Sequence, residues 1–284
     1  MTLDYTDFIW LAFILLALQP ALAARWLRNM RAAKLARIQK IRGSRVIAVI
    51  HRQESMRFFG LPIARYIDMD DAEQVLLAIR VTPSDQPIDL ILHTPGGLAI
   101  AALQIARALK DRSGKVTVFV PHFAMSGGTL IALSADEIVM SPHAVLGPID
   151  PQVNGLPAAS VIKVASEKPL SEIDDQTLIL ADVGRKAIEQ LKRAARELLR
   201  APMSDEEAGI LADKLTSGRW THDYPISVHE ARDPGLEVST DMPTEVLDLL
   251  ALYPQPIGRR GAVEFGPDSA PPSARKGLGG VRGH

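Results

Sequence analysis

Two glycine-containing turns in this chain hold residues whose types and spacing suit acyl transfer. The first is His93-Thr94-Pro95-Gly96-Gly97 and the second is Ala124-Met125-Ser126-Gly127-Gly128. The first directly follows the apolar run IDLIL, the second follows VTVFV, and each precedes a helical pattern. In the second turn a hydroxyl stands at a helix N-terminus between small residues, where the helix dipole favours a developing anion. In the first, paired glycines can point backbone N–H groups at a carbonyl oxygen. Together they read as a serine nucleophile, Ser126, facing an oxyanion hole. The plainer account is a tight turn plus a serine that caps its helix. The motif Gly-x-Ser-x-Gly is absent, which argues against the nucleophile elbow of α/β-hydrolases.

The elements that must carry these turns alternate in type. Residues 45–51, 88–92, 116–120 and 137–140 are short apolar runs that read as buried strands. Residues 70–80, 98–110 and 127–135 lie between them and read as helices. Strands apolar on both faces and separated by helices imply βαβ units, a parallel sheet and right-handed crossovers. Open α/β sheets place ligands at the carboxyl ends of their strands, where both turns fall. Residues 174–200 form a long amphipathic pattern. Ser204, ahead of Glu206 and Glu207, starts another helix that Gly218 ends. From Pro254 the chain is rich in Pro and Gly, so residues 254–284 are expected to be a disordered C-terminal tail.

With 284 residues, 47% of them hydrophobic, the chain can bury a sizeable core. A net charge of −1 gives no global basic field for nucleic acid. The lack of cysteine excludes disulfides and thiolate chemistry. No acidic residue occurs between Phe8 and Gln53, while eight basic residues from Arg25 to Arg45 follow an apolar run that starts at Phe8. That run, interrupted by Gln19-Pro20, is about 17 residues long, close to the shortest span of a bilayer core. It is expected to be a transmembrane helix over residues 1–24, followed by a basic juxtamembrane helix or linker over 25–44. The positive-inside rule then puts a catalytic domain, 45–253, on the cytoplasmic face of the cell membrane in a single-pass protein, with membrane lipid as a partner.

The block HTPGG, followed by PHFAMSGGTLIALSADEIVMSP, LGPIDPQ, DDQTLILAD, SGRWTHDYPI and STDMP, resembles the Clp-fold serine proteinases of the serine dehydrogenase proteinase (SDH) family. These are related to Clp proteolytic subunits, signal peptide peptidase A and the membrane peptidases encoded beside stomatins. The resemblance spans roughly residues 45 to 255. It implies an α/β fold of the Clp/crotonase type, a ββα superhelix, and a serine endopeptidase without cofactor or metal. It also implies Ser126 as nucleophile, an oxyanion hole from the backbone N–H groups of Gly96 or Gly97 and Gly127, and a peptide substrate lying as a strand beside the Gly96–Gly97 turn. A homo-oligomer follows from the same resemblance. No Gly-x-Gly-x-x-Gly supports a dehydrogenase.

The general base is the open position. Clp subunits carry a histidine where this chain reads VLGPIDPQ, with Asp150 the nearest polar residue. The third member of their triad matches Asp223. Related peptidases use a lysine, for which Lys163 and Lys168 stand in the comparable window. Burial against an apolar wall would lower such a lysine's pKa. His222, beside Asp223, and His122, four residues before Ser126, are further candidates. The catalytic residues are expected to be Ser126, Lys168, His222 and Asp223. Two other functions share the fold: a catalytically inactive scaffold, and a crotonase-type acyl-CoA enzyme, which usually lacks a serine at this position.

Overall fold

Strands that are apolar on both faces need cover on both sides, and the central sheet has it. The computed structural model describes residues 5–51, 57–58, 61–62, 66–199, 203–233 and 235–253. The expected tail over 254–284 lies outside the described residues. In chain order the elements are α1 (Tyr5–Arg42), β1 (Arg45–Ile50), β2 (Arg57–Phe58), β3 (Leu61–Pro62), α2 (Met69–Arg80), β4 (Ile88–His93) and α3 (Ala99–Lys110). Then come β5 (Val116–Val120), β6 (Phe123–Ala124), α4 (Gly127–Ala132), β7 (Glu137–Met140), β8 (Val145–Leu146), β9 (Gln152–Val153) and β10 (Leu156–Pro157). The chain continues through α5 (Ala158–Glu167), α6 (Asp175–Leu199), α7 (Asp205–Thr216), β11 (Ile226–Ser227), α8 (Val228–Arg232), β12 (Val238–Ser239) and α9 (Thr244–Ala251).

The main sheet runs β1-β4-β5-β7-β12 and is parallel throughout. Every residue of β4 and β5 is buried. One face packs on α2, α3 and α4, with α6 and α7 extending the same apolar cluster. The fold is thus a mixed α/β architecture around a parallel sheet, with boundaries close to those the hydrophobic pattern implies.

A second, smaller sheet has no counterpart in that pattern. Its order is β11-β8-β6, with β6 and β8 parallel and β11 antiparallel to β8. Each strand is two residues long. The β9–β10 hairpin turns on Asn154 and Gly155, whose φ angles of 51° and 76° suit a two-residue primed turn.

The N-terminal segment departs from expectation. No helix among the described residues is long and apolar enough to cross a membrane, so the single-pass localisation, the transmembrane helix and the lipid anchor are not supported. The apolar run is short: about 17 residues at 1.5 Å each give about 25 Å, against about 30 Å of hydrocarbon. Several of the basic residues expected at lipid headgroups have protein partners instead. Arg31 donates to the Leu252 carbonyl at 3.0 and 3.1 Å and stacks on Tyr253 at 4.1 Å. Lys34 binds Asp248 at 2.7 Å. Arg42 pairs with the buried carboxylate of Asp89, which also accepts the Ser44 hydroxyl at 2.6 Å. Between them Ile38, 1% exposed, enters an apolar cluster with Val46, Ile91, Phe119, Val139, Val246 and Leu249. The last turns of α1 and all of α9 therefore cover the second face of the sheet.

Candidate active site

Ser126 stands between β6 and α4 with φ 49° and ψ −114°. A serine in this region is strained by about 1–3 kcal/mol, held there only when its surroundings over-determine it. Those surroundings are glycines on every side. A Cβ on Gly96 would meet Ser126 Cβ and the Met125 carbonyl at 2.8 Å, and one on Gly128 would meet Thr94 Cγ2 at 2.7 Å. A Cβ on Gly147 would meet the Met125 side chain at 2.6 Å. The serine hydroxyl makes no cap bond to its helix, so the capping account of this residue fails.

The two turns are laced by the backbone of Thr94. Its N–H donates to the Phe123 carbonyl at 3.2 Å, and its carbonyl accepts the Met125 N–H at 3.0 Å. On the outer side, Ile67 donates to the Gly96 carbonyl at 2.7 Å and accepts the Leu98 N–H at 2.8 Å. Gly96 N–H is taken by the Thr94 hydroxyl at 3.2 Å. By contrast, neither Gly97 N–H nor Gly127 N–H makes a backbone hydrogen bond among the described residues. The two glycines face each other: a Cβ on Gly127 would lie 3.5 Å from Gly97 N.

The small sheet gathers the remaining polar groups. Ser126 follows β6, Asp150 follows β8 and His222 precedes β11, so pairing these three strands collects residues from three distant segments. Thr129 fixes the first two: its hydroxyl lies 2.8 Å from the carbonyls of Ala124 and Gly147 and accepts the Gly147 N–H at 3.0 Å. Asp150 is buried. Its Oδ1 lies 2.8 Å from His222 Nδ1, and its Oδ2 accepts the Gln152 amide at 2.8 Å. The Asp150 hydrogen bond raises the His222 pKa above the ordinary histidine value, and partial burial opposes it.

The loop that carries His222 is itself anchored. Trp220 and Tyr224 stack with ring centroids 5.3 Å apart. The Tyr224 hydroxyl donates to Glu230 at 2.6 Å. That bond, with the Ser227 N–H and hydroxyl, pulls the Glu230 pKa down to about 2.

Ser126, Gly97, Gly127, Asp150, Gln152 and His222 line one cavity of about 850 Å³, walled by Leu98, Ile100, Leu103, Leu130 and Leu191. The other residues read from the sequence lie elsewhere. Lys168 ends α5 and is exposed, and Lys163 is exposed and pairs with Glu167 at 3.8 Å. Asp223 is exposed and lies outside the cavity lining, and its charge acts on His222 more weakly than that of Asp150. His122 is exposed, its ring edge-on to His93. Gly96 supports the turn without lining the cavity. What sequence reasoning missed is the pairing of His222 with Asp150. The signal available was the carboxylate in LGPIDPQ, the stretch where related peptidases carry a histidine.

The chain is 50% identical over 258 residues to the uncharacterized protein MJ0137 of Methanocaldococcus jannaschii, covering 91% of this chain and 90% of that one. It is 49% identical over 260 residues to MJ1495 of the same organism, covering 92% and 89%. Among solved structures it is similar to a membrane-bound stomatin-specific protease carrying one alanine substitution, at TM-score 0.44 and 21% identity, over 65% of this chain and 79% of that one. The model of the ClpP-like SDH-type serine proteinases matches residues 1–277, and the chain belongs to that family.

Proposed function

We propose that this serine proteinase is an endopeptidase in which Ser126, His222 and Asp150 act as nucleophile, base and base-orienting carboxylate. The observation that carries the reading is the shared cavity: a backbone-strained serine and a carboxylate-bound histidine open onto the same space. Asp150 binds His222 at Nδ1, which leaves Nε2 for the Ser126 hydroxyl. In the first step Ser126 Oγ bonds to the peptide carbonyl carbon and its proton passes to His222 Nε2. The carbonyl oxygen becomes an oxyanion held by the N–H groups of Gly97 and Gly127. His222 then gives the proton to the departing amine as the C–N bond breaks, leaving an acyl-enzyme on Ser126. Water attacks that ester, losing a proton to His222, and as the acyl C–Oγ bond breaks His222 returns the proton to Ser126 Oγ and the carboxylic acid product leaves. The apolar walls of the cavity support binding of a peptide rather than a highly charged ligand.

A fluorophosphonate probe tests the reading. Stoichiometric labelling of the wild-type protein, abolished by Ser126→Ala and strongly slowed by His222→Ala, is the expected result. No labelling of the folded protein would favour the inactive scaffold.

A further inference from the structure

We infer that Thr94 and His51 form a buried positioning pair that aims the Gly97 N–H at the oxyanion, an inference that rests on the serine-peptidase reading above. Neither residue lines the cavity. His51, just after β1, is 5% exposed and Thr94 is fully buried. His51 Nδ1 lies 2.9 Å from Thr94 Oγ1, and His51 Nε2 lies 3.1 Å from Asp71 Oδ2. A carboxylate takes the Nε2 proton, which makes Nδ1 the acceptor for the Thr94 hydroxyl. The Thr94 oxygen then keeps its lone pairs for the Gly96 N–H, which it holds at 3.2 Å.

The far side of the turn is tied to the same carboxylate. Asp71 Oδ2 also accepts the Asp68 N–H at 3.2 Å, and Asp68 follows Ile67, whose backbone clamps Gly96 and Leu98. Asp71, His51, Thr94, Gly96, Ile67 and Asp68 thus close a ring of hydrogen bonds around the oxyanion turn. Within it, Gly96 N–H points to Thr94, and Gly96 C=O accepts the Ile67 N–H at 2.7 Å with the Thr94 hydroxyl farther off at 3.4 Å. The next peptide N–H, that of Gly97, is left toward Gly127. Packing alone does not require this chemistry, since valine would fill the Thr94 site equally well. The hydroxyl and imidazole satisfy the buried polar groups of the turn and in doing so fix the direction of the Gly96 peptide.

The test uses the full chain and compares wild type, Thr94→Val, Thr94→Ser, His51→Asn and His51→Phe. Two rates are measured, fluorophosphonate labelling of Ser126 and cleavage of a quenched fluorescent peptide, with thermal melts in parallel. Expected is a fall of about 10- to 100-fold in labelling rate and in kcat for Thr94→Val and His51→Phe, with KM little changed. Thr94→Ser, which keeps the hydroxyl, and His51→Asn, which keeps an acceptor near Nδ1, are expected to recover most of that loss. Wild-type rates in folded Thr94→Val and His51→Phe overturn the inference while the peptidase reading stands. Failure of Thr94→Ser to recover activity while it melts like the wild type also overturns it. Failure of the wild type itself to label overturns both.

Discussion

His222 Nδ1 and Asp150 Oδ1 lie 2.8 Å apart although 72 positions separate the residues. Asp150 is nearly inaccessible, with a side chain 3% exposed, and its second oxygen is occupied by Gln152. A carboxylate held this way can fix the tautomer and the orientation of a catalytic imidazole.

Asp150→Asn is therefore expected to lower kcat by about 10²- to 10⁴-fold, because the amide can hold His222 in the wrong tautomer. Asp223→Asn, at an exposed position outside the cavity lining, is expected to leave the rate within a few-fold. Peptide cleavage by the two variants checks this directly. The reverse ranking would move the third member of the triad to Asp223.

The pH profile follows from the same contact. Hydrogen bonding to Asp150 raises the His222 pKa, and burial works against it. The base must be neutral, so activity rises with pH on a limb above the ordinary histidine value of about 6.5. Asp150→Asn removes the carboxylate charge and the acceptor that favour the imidazolium, so the limb moves toward acid. The stability sign is opposite in direction. A raised pKa contributes stability that is full below the unfolded value and fades as pH rises through the folded value. The loss of stability in Asp150→Asn is thus expected to be larger on the acid side of the limb. Initial rates and denaturant melts across pH test both signs, and an unmoved limb in Asp150→Asn sinks the assignment.

Lysine as the base makes a different prediction. Lys163 on α5 and Lys168 just after it are exposed, and neither lines the cavity that holds Ser126. Lys163→Met and Lys168→Met are expected to label with fluorophosphonate at wild-type rates. A large loss in either one would replace His222 with a lysine.

The legible parts of this protein are those with enough residues to show a period. β4 and β5, buried at every position, announce themselves as apolar runs, and the turns after them stand out through paired glycines. The small sheet was not legible. β6, β8 and β11 are two residues long each, too short for an alternation, yet they bring Ser126, Asp150 and His222 to one place. The resemblance gave Asp223 as the third member of the triad, whereas the carboxylate hydrogen-bonded to His222 is that of Asp150. The N-terminal helix misled in another way. Its basic residues look like a lipid-facing stripe until α9, more than two hundred positions away, supplies Asp248 and the Leu252 carbonyl.

That docking of α1 gives the last prediction. Asp89 sits on β4 with its side chain 3% exposed, and it receives both Arg42 from the end of α1 and the Ser44 hydroxyl. Arg42 also stacks over Phe119 of β5 at 4.7 Å, so its stem and its charge both secure the helix. Removing one partner of a buried pair leaves the other uncompensated. Arg42→Ala, which strands the buried carboxylate, is expected to destabilise the domain by about 3 kcal/mol. Ser44→Ala is expected to cost about 1 kcal/mol. Because both act on Asp89, the double variant is expected to depart from the sum of the two. Urea unfolding of the full chain measures all three. If α1 were an appendage rather than part of the fold, Arg42→Ala would leave the midpoint where it is.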